Sequence, residues 1–153
     1  MSECIIDHDG TKRWLVNGEL HRDDGFAVEC ADGTKRWYKN GKLHREDGPA
    51  VVYANGSQYW WLIGKLHRDD GPAIVWGNGN EEWYKNDKLH REDGPAIDWE
   101  YDKSWWLNGE RHREDGPAIE YPNGDKEWWI KGKEYTEEEF VLQLFSRGMI
   151  INE

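Results

Sequence analysis

The sequence predicts an all-β protein, an elongated stack of about six antiparallel β-hairpin repeats closed by a C-terminal capping helix. Three observations carry that prediction. His21, His44, His67, His90 and His112 recur at intervals of 23, 23, 23 and 22 residues. Seven positions before each stands a tryptophan: Trp14, Trp37, Trp60, Trp83 and Trp105. The period then breaks at "TEEE", residues 136–139, which reads as the start of a helix. Self-similarity at 20 to 50 residues marks an architecture in which each unit buries its apolar face against its neighbours.

Within a unit, residues 50–62, "AVVYANGSQYWWL", place alternating residues around Asn55-Gly56. Such a pair supplies the positive φ angles of a tight hairpin, and Asp32-Gly33, Asn78-Gly79 and Asn123-Gly124 repeat it. Each unit is therefore expected to be one two-stranded hairpin. A longer loop, from a glycine such as Gly41 through "KLHREDG", is expected to join it to the next. Gly and Pro recur too often in the units for a helix.

In the first strand Val28, Val51, Ile74, Ile97 and Ile119 form an apolar column. In the second strand the Trp14 column is all tryptophan, and its neighbours Leu15, Tyr38, Trp61, Tyr84, Trp106 and Trp129 must point the other way. Both sides of the ribbon thus carry aromatics. One set can fill the interior. The other is either covered by loops, with Arg or Lys stems stacking on the rings, or left as an exposed ladder that marks a binding surface.

The ends differ from the middle. Phe26 replaces the proline found at Pro49, Pro72, Pro95 and Pro117, and the turn between Trp99 and Trp105 is one residue short, so it is expected to be tighter or bulged. A sixth unit begins at Trp128, with Tyr135 at the histidine position. Thr136 and Glu139 then form a capping box, and Phe140, Val141, Leu144 and Phe145 follow at helical spacing up to about residue 147, with Gly148 able to end the helix. The domain reading is a repeat array over 1–135 and a capping helix with a tail over 136–153.

Composition narrows the function classes. Charged residues make up 33% of the 153-residue chain, but eleven Trp, seven Tyr and three Phe supply the apolar surface that disordered chains lack. A formal charge of -11 opposes approach to nucleic acid phosphates or an anionic membrane and favours a basic partner. No stretch approaches the roughly 20 apolar residues of a membrane helix. The two cysteines, Cys4 and Cys30, and the absence of a leader-like start fit a reducing cytoplasm.

The string "HREDGPA" invites a catalytic reading, with His44 as base, Glu46 or Asp47 orienting it, and Arg45 clamping an anion. Multiplicity argues against it: an active site needs distinct residues converging once, whereas this group is presented five times and no nucleophile recurs beside it. Metal binding is disfavoured because the His and carboxylates are adjacent rather than at ligand spacing. The expectation is no catalytic residue, no metal and no cofactor. A structural loop explains more, built from His21, His44, His67, His90 and His112, from Arg45, Arg68, Arg91 and Arg113, and from Asp47, Asp70, Asp93 and Asp115. In it Asp locks the turn as an acceptor of backbone hydrogens, Arg pairs with carboxylates of its own or the adjoining unit, and His donates to a backbone carbonyl.

The order "W-x-x-N-G-K-x-H", then a Gly, then a strand ending in "N-G" or "D-G", resembles the MORN repeat over residues 10–133. "REDGP" stands where a MORN unit continues with glycines. The string itself is similar to "HREDGPA" repeat proteins of bacteriophages and large viruses, and this resemblance implies a viral origin and the cytoplasm of a host cell. The functional expectation is a non-enzymatic scaffold that binds a protein partner and, by the resemblance, inhibits a host defence factor. Its partner face is placed at Tyr38, Trp61, Tyr84, Trp106 and Trp129, because binding hot spots are rich in Trp and Tyr. The alternative is a sponge for small ligands or nucleotides using aromatic and Arg residues, and an acidic DNA mimic ranks below both. The chain is expected to be a monomer or an end-to-end homodimer.

Overall fold

A computed structural model describes residues 3–148; the tail expected beyond the helix, from residue 149 on, lies outside them. The described residues form 22 strands and one helix. The chain divides into two compact units, Met1–Asp87 and Lys88–Glu153.

In the first unit an antiparallel sheet runs in the order Glu3–Ile6, Lys12–Val16, Val28–Glu29, Lys35–Arg36, Val51–Val52, Gln58–Tyr59, Ile74–Val75 and Glu81–Glu82. In the second, Ile97–Asp98, Lys103–Ser104, Ile119–Glu120, Lys126–Ile130 and Lys133–Tyr135 pair in the same manner. Register places Val51 opposite Tyr59 and Ile74 opposite both Tyr59 and Glu82, so the apolar column lies on one face. Val28, Val51, Ile74 and Ile119 are buried, and Ala27, Ala50, Ala73, Ala96 and Ala118 are wholly enclosed.

The turns of these hairpins depart from the expected two-residue form. Tyr53 N–H donates to Ser57 O, Gly56 N–H donates to Tyr53 O, and only Gly56 has a positive φ, of 86°. This is a longer turn with one left-handed glycine, of the kind that carries a bulge. The Asn55 side chain accepts from Ser57 N–H at 3.0 Å, as Asp9, Asp32, Asn78 and Asn123 do two residues before theirs. At the shortened repeat, Trp99 N–H reaches Asp102 O, so the turn is tighter, as its length predicts.

The two-residue turns occur where a loop is expected. Asn40-Gly41 and Ile63-Gly64 have positive φ at both positions, as do Asn17-Gly18, Asn108-Gly109 and Lys131-Gly132. This is the type I′ geometry. It joins Tyr38–Lys39 to Lys42–Leu43, Trp61–Leu62 to Lys65–Leu66, and Trp106–Leu107 to Glu110–Arg111. A unit therefore holds two hairpins rather than one, and the joining loop shrinks to "HREDGPA".

The helix spans Glu137–Ser146, with both halves of the capping box formed by Thr136 and Glu139. Its Phe140 and Leu144 bury against Ile130, with Trp128 and Tyr135 packed alongside. No helix among the described residues is long and apolar enough to cross a membrane.

Candidate functional site: the loops between repeats

Each "HREDGPA" loop is organised by its arginine. The Arg45 Nε–H donates to Asp47 at 2.8 Å, its Nη1 donates to the Pro49 carbonyl, and its guanidinium lies 4.5 Å from the Trp37 ring centre. Arg22, Arg68 and Arg113 repeat this on Trp14, Trp60 and Trp105 at 4.2, 4.3 and 3.8 Å. Arg68, Arg91 and Arg113 pair in turn with Asp70, Asp93 and Asp115 at 2.7–2.9 Å. The pairs thus lie within a loop rather than forming a ladder between units. The Asp carboxylate meets Arg rather than the turn's backbone, and this hydrogen bond, with the adjacent positive charge, holds Asp24, Asp47, Asp70 and Asp93 below the usual carboxylate range.

The glycine of each loop leaves the room that this folded arginine occupies. A Cβ on Gly71 would stand 2.7 Å from the Arg68 guanidinium carbon, and one on Gly48 would stand 3.1 Å from that of Arg45.

The histidine acts as an acceptor, contrary to the expected donor role. Nδ1 of His44 accepts from the backbone N–H of Ile63 at 3.1 Å, in the type I′ turn of the next repeat. His21, His67, His90 and His112 accept likewise from Asn40, Asn86, Asn108 and Lys131 at 3.1–3.3 Å. Nε2 faces a carboxylate two residues on: Asp23, Glu46, Asp69, Glu92 or Glu114, at 3.0–3.9 Å.

The expected partner column is tied to these loops through its backbone. Tyr38, Trp61, Tyr84, Trp106 and Trp129 accept at their carbonyls from the backbone N–H of Arg22, Arg45, Arg68, Arg91 and Arg113 of the preceding loop. All five side chains are half-buried. Tyr84 donates to Glu82, Trp106 to Ser104, and Trp129 to Glu127. Burial, with the nearby Glu82 carboxylate, pushes the Tyr84 phenol up to about 12. On this column Arg111 lies near the rings of Trp106 and Trp129, at 5.3 and 4.9 Å from their centres.

Two grooves among the described residues lie on the opposite column, whose tryptophans are not among the expected partner residues. Between two loops of the first unit, a groove of about 430 Å³ is floored by Trp60 and Leu62 and walled by Arg45, Glu46, Asp47, Arg68, Asp69 and Asp70. Its counterpart in the second unit, about 560 Å³, is floored by Trp105 and Leu107 between the loops of Arg91 and Arg113. The one signal for it in the sequence is the leucine two residues after the repeat tryptophan.

Charge is sorted across these loops. The arginine side chains are only 19–26% exposed, whereas their Asp partners are 80–85% exposed. Cations are turned in and carboxylates out. Among the described residues no three His, Cys, Asp or Glu side chains converge as a metal ion requires.

These features define an all-β repeat protein with acid-rimmed, tryptophan-floored grooves between its loops. Compared with known families and curated proteins, the chain matches no family model and no curated sequence.

Proposed function

We propose that the chain is a non-enzymatic repeat scaffold that binds a protein partner through a basic segment laid across the inter-loop grooves. The observation that carries this reading is the sorting of charge: each loop presents exposed carboxylates over an aromatic floor while its own cations are already engaged. A lysine or arginine side chain suits such a groove, its charged end meeting the carboxylates and its apolar stem or guanidinium plane lying on the indole. The net charge of -11 would speed encounter with a basic partner and slow it with nucleic acid. The non-enzymatic reading draws support from the same loops, where both ring nitrogens of each histidine have partners.

The likeness to "HREDGPA" repeat proteins of bacteriophages and large viruses directs the search for the partner to a host protein in the cytoplasm, which the chain would inhibit. Titration calorimetry with a lysine-rich peptide and with nucleotides tests the binding mode. Peptide binding that weakens with salt and falls about tenfold in Asp47→Asn/Asp70→Asn supports the reading. Binding of several nucleotides per chain, with no response to the peptide, would overturn it in favour of the small-ligand sponge.

A further inference from the structure

One contact repeated between a loop and the following repeat depends on an unprotonated nitrogen. In all five loops Nδ1 of the histidine accepts the backbone N–H that opens the next type I′ turn, at 3.1–3.3 Å and 18 or 19 residues away. An imidazole can accept at Nδ1 only when its proton is on Nε2, and the carboxylate beside Nε2 favours that tautomer. The imidazolium form carries hydrogen on both nitrogens. It can keep the carboxylate at Nε2 but must surrender the amide at Nδ1.

We propose that these five histidines are acid-sensitive joints: protonation of a ring releases the type I′ turn that its Nδ1 holds from the loop before it, and loosens the array repeat by repeat. The histidine side chains are only 11–14% exposed, whereas Asn40, Ile63, Asn86, Asn108 and Lys131 are exposed, so a released amide turns to water.

The charges around each ring are few. His21 faces Asp23, His44 faces Glu46, and His90 faces Glu92. His67 faces Asp69, which also lies 3.5 Å from Lys85. Glu114 and Glu110 act on His112 against Lys131 and Arg147. At His21 the carboxamide oxygen of Asn40 also lies 2.8 Å from Nδ1, so an acceptor Nδ1 there requires the Asn40 carboxamide turned over, its NH2 rather than its oxygen meeting the lone pair.

Burial first, and then Lys131 and Arg147, hold the His112 imidazole below its ordinary value. The unfolded ring thus takes up its proton before the folded one as pH falls. The stability this site contributes is complete above about pH 6.5 and is lost as pH falls through the folded value. Asp24, Asp47, Asp70 and Asp93, held below the usual carboxylate range by their arginines, leave this window clear.

The test is a nuclear magnetic resonance titration of the intact chain from about pH 8 to about pH 5, with His8, which is exposed, as internal reference. At the upper end all five rings carry their proton on Nε2. As the rings titrate, the amides of Asn40, Ile63, Asn86, Asn108 and Lys131 shift together with them, and their protection from hydrogen exchange drops about tenfold. In His112→Gln, whose carboxamide oxygen accepts at any pH, Lys131 alone loses its response. An Nδ1–H tautomer at the upper end, or rings that titrate while the five amides stay unmoved, would sink the proposal. The wild-type readings decide it even if the variant fails to fold.

Discussion

Ile63 sits at φ 52°, in the left-handed region, immediately before Gly64. Equivalent turn positions hold Asn17, Asn40, Asn86 and Asn108, whose short polar side chains tolerate that backbone, and Lys131. A β-branched residue does not tolerate it. Ile63 is 64% exposed, so its side chain gains little from packing in return. Ile63→Asn is therefore expected to stabilise the chain by about 1 kcal/mol and to raise the melting temperature by about 2–4 °C. Calorimetry measures this, and the bond to His44 survives because it uses the backbone N–H. A lower melting temperature would contradict the strain.

Arg68 is held by three partners at once, the Asp70 carboxylate, the Pro72 carbonyl and the Trp60 ring. Lysine can replace the charge but not the planar fork or the stacking. Arg68→Lys should cost about 1 kcal/mol, and Gly71→Ala at least as much because its Cβ collides with the guanidinium. Chemical denaturation of both variants checks the order. Equal stability of Arg68→Lys and wild type would mean that only the charge matters.

At the C-terminal helix, Thr136→Ala removes the acceptor for Glu139 N–H and should cost about 1 kcal/mol. Phe140→Ala, by opening a cavity beside Ile130 and Leu144, should cost about 3–5 kcal/mol. Hydrogen exchange over Glu137–Ser146 separates them. The first frays the helix start, and the second exposes Trp128 and Tyr135 as well.

Alkaline pH probes the aromatic column. The folded Tyr84 phenol ionises near 12 against a usual value of 10.0, so its contribution to stability is complete below pH 10 and declines as pH rises through the interval between them. Ultraviolet titration should find Tyr84 ionising late, with Tyr59 and Tyr121 also held above 10.0, and variants assign the steps. In Glu82→Gln the Tyr84 step moves toward its usual value, and that of Tyr59 with it, because a neighbouring negative charge is gone while burial remains. No change in the variant would leave burial as the sole cause.

The parts of this structure legible in the sequence were those written in long-range spacing. The tryptophan-to-histidine interval marked the repeat, and Thr136 with Glu139 marked the helix start. The second hairpin was hidden because strands such as Lys65–Leu66 are two residues long and cannot display alternation. Asn40-Gly41 carried its own turn signal, yet the charged string after it drew the reading toward a loop. The acceptor role of His44 has no local signature, since its partner Ile63 lies in the next repeat. The groove floor has no signature of its own beyond the leucine two residues on, because an all-tryptophan repeat column reads as core, whereas Trp60 and Trp105 remain half-buried with an arginine on one side.

All the joints run in one direction. Loop histidines and arginines reach forward to the following turn and strand, as His44 does to Ile63 and Arg45 to Trp61. Excising residues 45–67 would bring His44 directly before Arg68, which sits in a copy of the same loop and already contacts Tyr84. The seam left behind would have the same chemistry as the one removed. A chain built this way can gain or shed whole modules in its gene by unequal exchange without inventing a new interface.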